Sequence, residues 1–159
     1  MNQLLTEPLQ VQELTLPNAV MRDLMKTSLQ RGLPFRFQAL GGSMSPLIRA
    51  GDVVFVNPIQ PGEPVVGQVV AFIHPVNCLL LIHRVIHRQG SVLLMQGDNM
   101  GGRNDGQVPL ENILGCVARV NRNGRCVCYG KGLLGYMIAV FSQLGLLTII
   151  LKGLRVLAG

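Results

Sequence analysis

From residue 35 to residue 129 the chain repeats one pattern. Short runs, alternating over Phe35–Leu40 and rich in Val, Ile, Leu and Phe in the rest, are each ended by Gly, Pro or Asn-Gly before a helical period can build up. A period of two sends successive side chains to opposite faces of a strand. Residues 35–40, 52–56, 68–73, 79–88, 91–95, 116–122 and 125–129 therefore read as strands. Gln89-Gly90 predicts a tight turn between two of them, and Asn123-Gly124 predicts a type I′ hairpin between two others. No helical crossover separates successive strands, so a mainly β, coiled antiparallel domain is the simplest architecture and the expected one.

The two flanks follow the other period. Residues 19–31 carry Met21, Leu24, Met25 and Leu29 on one stripe, with Asn18 placed to cap the start and Gly32 to stop the end. Residues 133–151 form a run of 19 without a charge, with Lys131 before it and Lys152 and Arg155 after it. As a helix that run would reach about 28 Å, close to the hydrocarbon thickness of a bilayer. The expected organisation is thus an N-terminal segment with an amphipathic helix over 1–32, a β-rich domain over 33–130, and a C-terminal membrane-anchor helix and tail over 131–159.

Composition narrows the function classes. The 159 residues are 48% hydrophobic and only 14% charged, which excludes a disordered chain. The net charge of +6 comes without a basic helix, zinc-ligand spacing or aromatic-studded strand, so anionic lipid is the expected partner and nucleic acid is not. Cys78, Cys116, Cys126 and Cys128 form no Cys-x-x-Cys pair and are expected to be small buried hydrophobes. Neither a metal nor a cofactor is implied.

The segment from Gly41 to Asp52 carries the chemistry. Ser43 follows two glycines at the end of a strand, where the backbone can turn sharply and leave a hydroxyl accessible. Ser43-Met44-Ser45-Pro46, with Gly51-Asp52-Val53-Val54 behind it, resembles the nucleophile segment of signal peptidase I. Gly67-Gln68-Val69-Val70-Ala71-Phe72 resembles that family's Gly-Asp-Val-Val-x-Phe strand, with Gln68 in place of the acid. Ile82-His83-Arg84-Val85 resembles the His-Arg-Val strand of the archaeal and endoplasmic-reticulum type. Gln96-Gly97-Asp98-Asn99 followed by Asn104-Asp105 resembles its Gly-Asp-Asn…Asp box, and Gly115 its closing run. These pieces arrive in the family's order across residues 35–120.

The resemblance implies a serine endopeptidase of signal peptidase/LexA-like fold, with Ser43 as nucleophile. Bacterial members and the LexA-like self-cleaving repressors use a lysine base. Here Lys26, Lys131 and Lys152 all lie outside the β-region. His83 is accordingly the expected base, with His87 as the fallback; an ordinary histidine pKa of about 6.5 suits proton transfer near neutrality. The resemblance implies Asp105 as the carboxylate that orients it. The box is one residue longer than the family's pattern, which leaves Asp98 as the alternative. The Ser43 N–H is one expected oxyanion donor, and the Ser45 hydroxyl is a candidate for a second.

The substrate implied is a precursor polypeptide carrying a signal or leader peptide. Membrane lipid is a further expected partner, with room for a membrane-protein partner. No secretory leader is visible, so the catalytic domain is expected on the cytoplasmic face. The alternative is an inactive peptide-binding or membrane-complex subunit of the same fold.

Overall fold

The alternating runs pair into one antiparallel sheet. The computed structural model describes residues 17–144. In chain order it contains helix α1 (Asn18–Gln30) and strands β1 (Phe35–Gln38), β2 (Val53–Asn57), β3 (Val69–Ile73), β4 (Leu80–Gln89), β5 (Val92–Gln96) and β6 (Gln107–Pro109). A short 3-10 turn (Leu110–Asn112) then leads to β7 (Ile113–Arg122), β8 (Arg125–Cys126) and helix α2 (Gly132–Gln143). The sheet runs β1-β2-β7-β3-β4-β5-β6, with β8 paired to β7, and every pairing is antiparallel. The chain is mainly β with a helix on each flank, as the alternation predicts.

Individual turns follow local chemistry. Asn123 and Gly124 both adopt positive φ, the type I′ requirement, and close β7 onto β8. The turn between β4 and β5 is centred one residue later than expected, on Gly90-Ser91, because Gln89 still pairs with Val92. The short strand β6 and the early start of β7 at Ile113 were not expected: Gln107-Val108-Pro109 carries too short an alternation to stand out.

The sheet is covered on both faces. Val69 and Ala71 enter one core with Val54, Val56, Val117, Val120 and α1's Met25 and Leu29. Val70 and Phe72, one residue out of phase, enter a second with Val85, Leu93, Met95 and Val108. That β3 is buried on both sides explains its unbroken apolar run. Leu24, placed on the α1 stripe by its spacing, is instead about half exposed. Asn18 does not cap α1, whose cap position is Pro17; its carboxamide turns to the sheet.

Three of the cysteines depart from the expectation of burial. Only Cys116 is buried, its thiol pushed up to about 12 by loss of water and by nearby Glu63. Cys78 is exposed in the turn between β3 and β4, and Cys126 and Cys128 are exposed where β8 ends. The apolar run at 133–151 falls partly outside the described residues. No helix among the described residues is long and apolar enough to cross a membrane.

One polar residue lies fully inside. Arg84 on β4 has no exposed surface, yet all five of its N–H groups are used. Nε and Nη2 form a fork on Asp98 at 2.8 and 2.7 Å, and the remaining donors reach the carbonyls of Gly67, Gly130 and Tyr129 at 2.7–2.9 Å. Two loops and the entry to α2 are thereby gathered on one guanidinium. Arg84→Met should lower unfolding free energy by roughly 3–5 kcal/mol, because Asp98 is left buried and unpaired. Adding Asp98→Asn to that variant should recover part of the loss in urea denaturation.

Candidate active site

The loop from β1 to β2 is built to hold a serine at its bend. Ala39 still pairs with the β2 side, donating to Asp52 and accepting from Gly51 at 2.8 Å. The chain then turns so that Met44 and Ile48 plug the core while Ser43 between β1 and this plug stays partly open. Ser45 N–H donates to Gly42 O, and Leu47 and Ile48 N–H both donate to Met44 O, which closes the turn.

Two clamps fix this turn from opposite sides. Asp52, almost fully buried, accepts the Arg49 N–H at 2.8 Å and both arms of Arg122 at 2.8 and 2.7 Å. Arg122 also reaches the carbonyl of Leu47. The Arg122 guanidinium holds the Asp52 carboxyl below the usual carboxylate range, outweighing the opposing effect of burial. On the other side Asn99 N–H donates to Ser43 O at 2.7 Å, and the Asn99 carboxamide donates to Gly42 O at 3.2 Å. Gly97 lets that loop approach. A Cβ there would stand 2.7 Å from Ser43 O and 3.0 Å from His83 Nε2.

His83 meets this turn from β4. Its Nε2 lies 2.9 Å from Ser43 Oγ, and its Nδ1 lies 2.6 Å from Asp105 Oδ2. An ionised carboxylate can only accept, so Nδ1 carries the proton in the neutral ring and Nε2 is left to accept from the serine hydroxyl. The His83 and Asp105 side chains are 4% and 6% exposed, so water cannot compete for these contacts. Phe72 lies against the imidazole, with centroids 6.0 Å apart. Asp105 is held by its own N–H on the carbonyl of Met95.

Of the expected residues, Ser43, His83 and Asp105 are thus in one hydrogen-bonded line. Asp98 is not part of it: its two oxygens are taken by Arg84, one residue after His83 but on the opposite face of β4. The longer Gly-Asp-Asn…Asp box does not disturb Asp105, because a turn closed by Arg103 N–H on Met100 O absorbs the added residue. His87, the fallback base, is exposed on the other face. A bulge at Ile86 pairs Val85 with Met95 but His87 with Leu94, which reverses the alternation. His74 accepts from Val76 N–H in the turn before β4. Lys131 donates to Ala118 O, away from the serine. The Ser43 N–H, in the same residue as Oγ, has no hydrogen-bond partner among the described residues.

Beside the serine runs an apolar groove of about 210 Å³, lined by Phe37, Leu40, Met44, Ile48, Leu80 and Ile82 among others. Sequence reasoning missed the clamping roles of Asn99, Asp52 and Arg122. The signal was present in Gly51-Asp52 and Gly97-Asp98-Asn99, where turn-forming residues with free polar side chains flank the serine and the histidine.

No protein-family model matches the chain, and no curated protein matches its sequence.

The Asp52 clamp has a defined pH signature. A carboxylate whose pKa is lowered on folding contributes stability above its unfolded pKa of about 3.9 and loses it as pH falls through the folded value. Asp52→Asn should therefore cost roughly 1–3 kcal/mol at neutral pH. The gap from the wild type should narrow in urea titrations below about pH 4.

Proposed function

We propose that this chain is a serine endopeptidase of the signal peptidase/LexA-like fold type, removing a signal or leader peptide from a precursor polypeptide. The observation that carries the reading is the line Asp105–His83–Ser43, with contacts of 2.6 and 2.9 Å. In that line His83 Nε2 takes the Ser43 proton as Oγ attacks a peptide carbonyl, and the imidazolium formed is stabilised by Asp105. The same proton then goes to the departing amine, and water completes hydrolysis of the acyl-enzyme. The unpartnered Ser43 N–H supports its role as an oxyanion donor. The groove beside Ser43 suits an extended apolar segment of substrate.

A fluorophosphonate probe should label the wild type and not Ser43→Ala. With a cleavable precursor, His83→Ala should lower kcat roughly 10²–10⁴-fold. Asp105→Asn should lower kcat strongly, because the ring loses its oriented tautomer, whereas Asp98→Asn should act chiefly on the unfolding midpoint. Activity should fall on acidification, since an imidazolium cannot accept the serine proton. Failure of Ser43 to label, with peptide still bound, would favour the inactive peptide-binding alternative.

The same reading includes a membrane-bound enzyme. It is supported by the outward face of α2, where Leu133, Leu134, Tyr136, Met137 and Leu144 are exposed directly after Lys131. The chain should float with anionic vesicles and stay bound in high salt, because apolar burial is not screened as charge attraction is. Release by salt alone would refute the apolar anchor.

A further inference from the structure

The groove beside Ser43 is bordered by two strand edges, and one of them is partly occupied by a side chain. Just before β4, Leu79 O accepts from His74 N–H, while on β4 Val85 exchanges hydrogen bonds with Gly67 and Gln68 on the β3 side. Residues between them alternate, so Leu81 and His83 direct their main-chain groups to β3, and Leu80 and Ile82 direct theirs away from it. Strand β5 takes over that outer edge only from Arg84, opposite Gln96. Across the groove, Ala39 bonds toward β2, which leaves Gln38 and Leu40 facing away from β2.

Leu80 is already engaged. Its N–H donates to Asn18 Oδ1 at 2.9 Å, and its carbonyl accepts from Asn18 Nδ2 at 3.3 Å. A primary carboxamide presents one acceptor and a donor much as a main-chain peptide unit does. Asn18 thus makes the bonds that a residue of a paired strand would make. Helix α1 has no use for this side chain as a cap. Asn18 and Met21 also line the groove, at the Leu80 end. Ile82, next in chain to His83, has no such partner among the described residues.

We propose that Asn18 is a stop on the strand edge that sets how much substrate the groove reads. The inference rests on the peptidase reading and deepens it. An extended peptide pairs with β4 at Ile82 but is denied Leu80. The peptide piece that stays esterified to Ser43 after the amine leaves has to be held until water arrives. It is recognised over a short extended stretch beside the scissile bond, and residues farther away leave the groove unread.

The test uses acetylated Ala/Val peptide amides of graded length, bound to the full chain carrying Ser43→Ala so that no turnover is needed. Affinity should stop rising with length once the Ile82 edge is filled. With Asn18→Ala added, lengthening by one further main-chain pair should raise affinity roughly 2–10-fold, the range that one net hydrogen bond gives. Asn18→Asp keeps the acceptor for the Leu80 N–H but loses the donor, and should give a smaller gain. Exchange of the Leu80 amide should quicken in Asn18→Ala, and bound long peptide should slow it again. A purely structural Asn18 would leave the length profile unmoved. Identical profiles in the two backgrounds, or no peptide binding at any length, would overturn the proposal. If the profiles differ as expected but chains retaining Ser43 cleave nothing, the catalytic reading fails and the edge stop stands.

Discussion

The buried Arg84–Asp98 pair is the contact on which the remaining geometry depends. A guanidinium with no access to water is tolerable only when every donor is met. Here the five partners come from β4's neighbouring loop at Gly67, from the loop after β5 at Asp98, and from the segment entering α2 at Tyr129 and Gly130. Asp98 is flanked by Gly97 and Asn99, the two residues that approach His83 and hold the carbonyls of Ser43 and Gly42. Fixing Asp98 therefore fixes the loop that positions the serine, although neither Arg84 nor Asp98 touches it. Since His83 and Arg84 are consecutive on one strand, β4 presents the imidazole beside Ser43 on one face and its structural anchor on the other.

The second fixed point is Asp52. It ties the end of the serine turn to β7, the strand that joins the β2 and β3 halves of the sheet. A loop held at Asp52 and again at Ser43 O has little freedom between those points. Such preorganisation matters because a hydroxyl–imidazole contact depends on tenths of an ångström, which a mobile loop would not keep. The cost is a turn dense in buried polar groups, each of which needs its own partner.

Much of the sheet was legible because short runs rich in Val, Ile, Leu and Phe, closed by Gly and Pro, leave no room for a helical period. Residues 52–56 lie one residue ahead of the observed β2 at both ends, and 68–73 differs from β3 by one residue at its start. Asn123-Gly124 names its own turn. The misses have physical causes. A three-residue strand such as β6 is set by its partner β5 more than by its own pattern. The bulge at Ile86 has no marker in the sequence His83-Arg84-Val85-Ile86-His87, so the period of two placed His87 on the wrong face. Asp98 and Asp105 could not be separated by spacing, because what divides them is a guanidinium from a neighbouring strand residue and a turn of unforeseen length. Asn18 carries a cap-like residue type at a helix start, and only the tertiary contact with Leu80 shows its carboxamide used elsewhere.

The open edge of β4 also bears on how the folded chain behaves in company. An unpaired strand edge is a template for any other chain with a free edge, and proteins ordinarily shorten, charge or cover theirs. On β4 the outer edge is taken by β5 from Arg84 onward and by Asn18 at Leu80, so only the main-chain groups of Ile82 stay open between them. A gap of one residue is too short to seed a growing sheet, yet long enough to register a single extended strand.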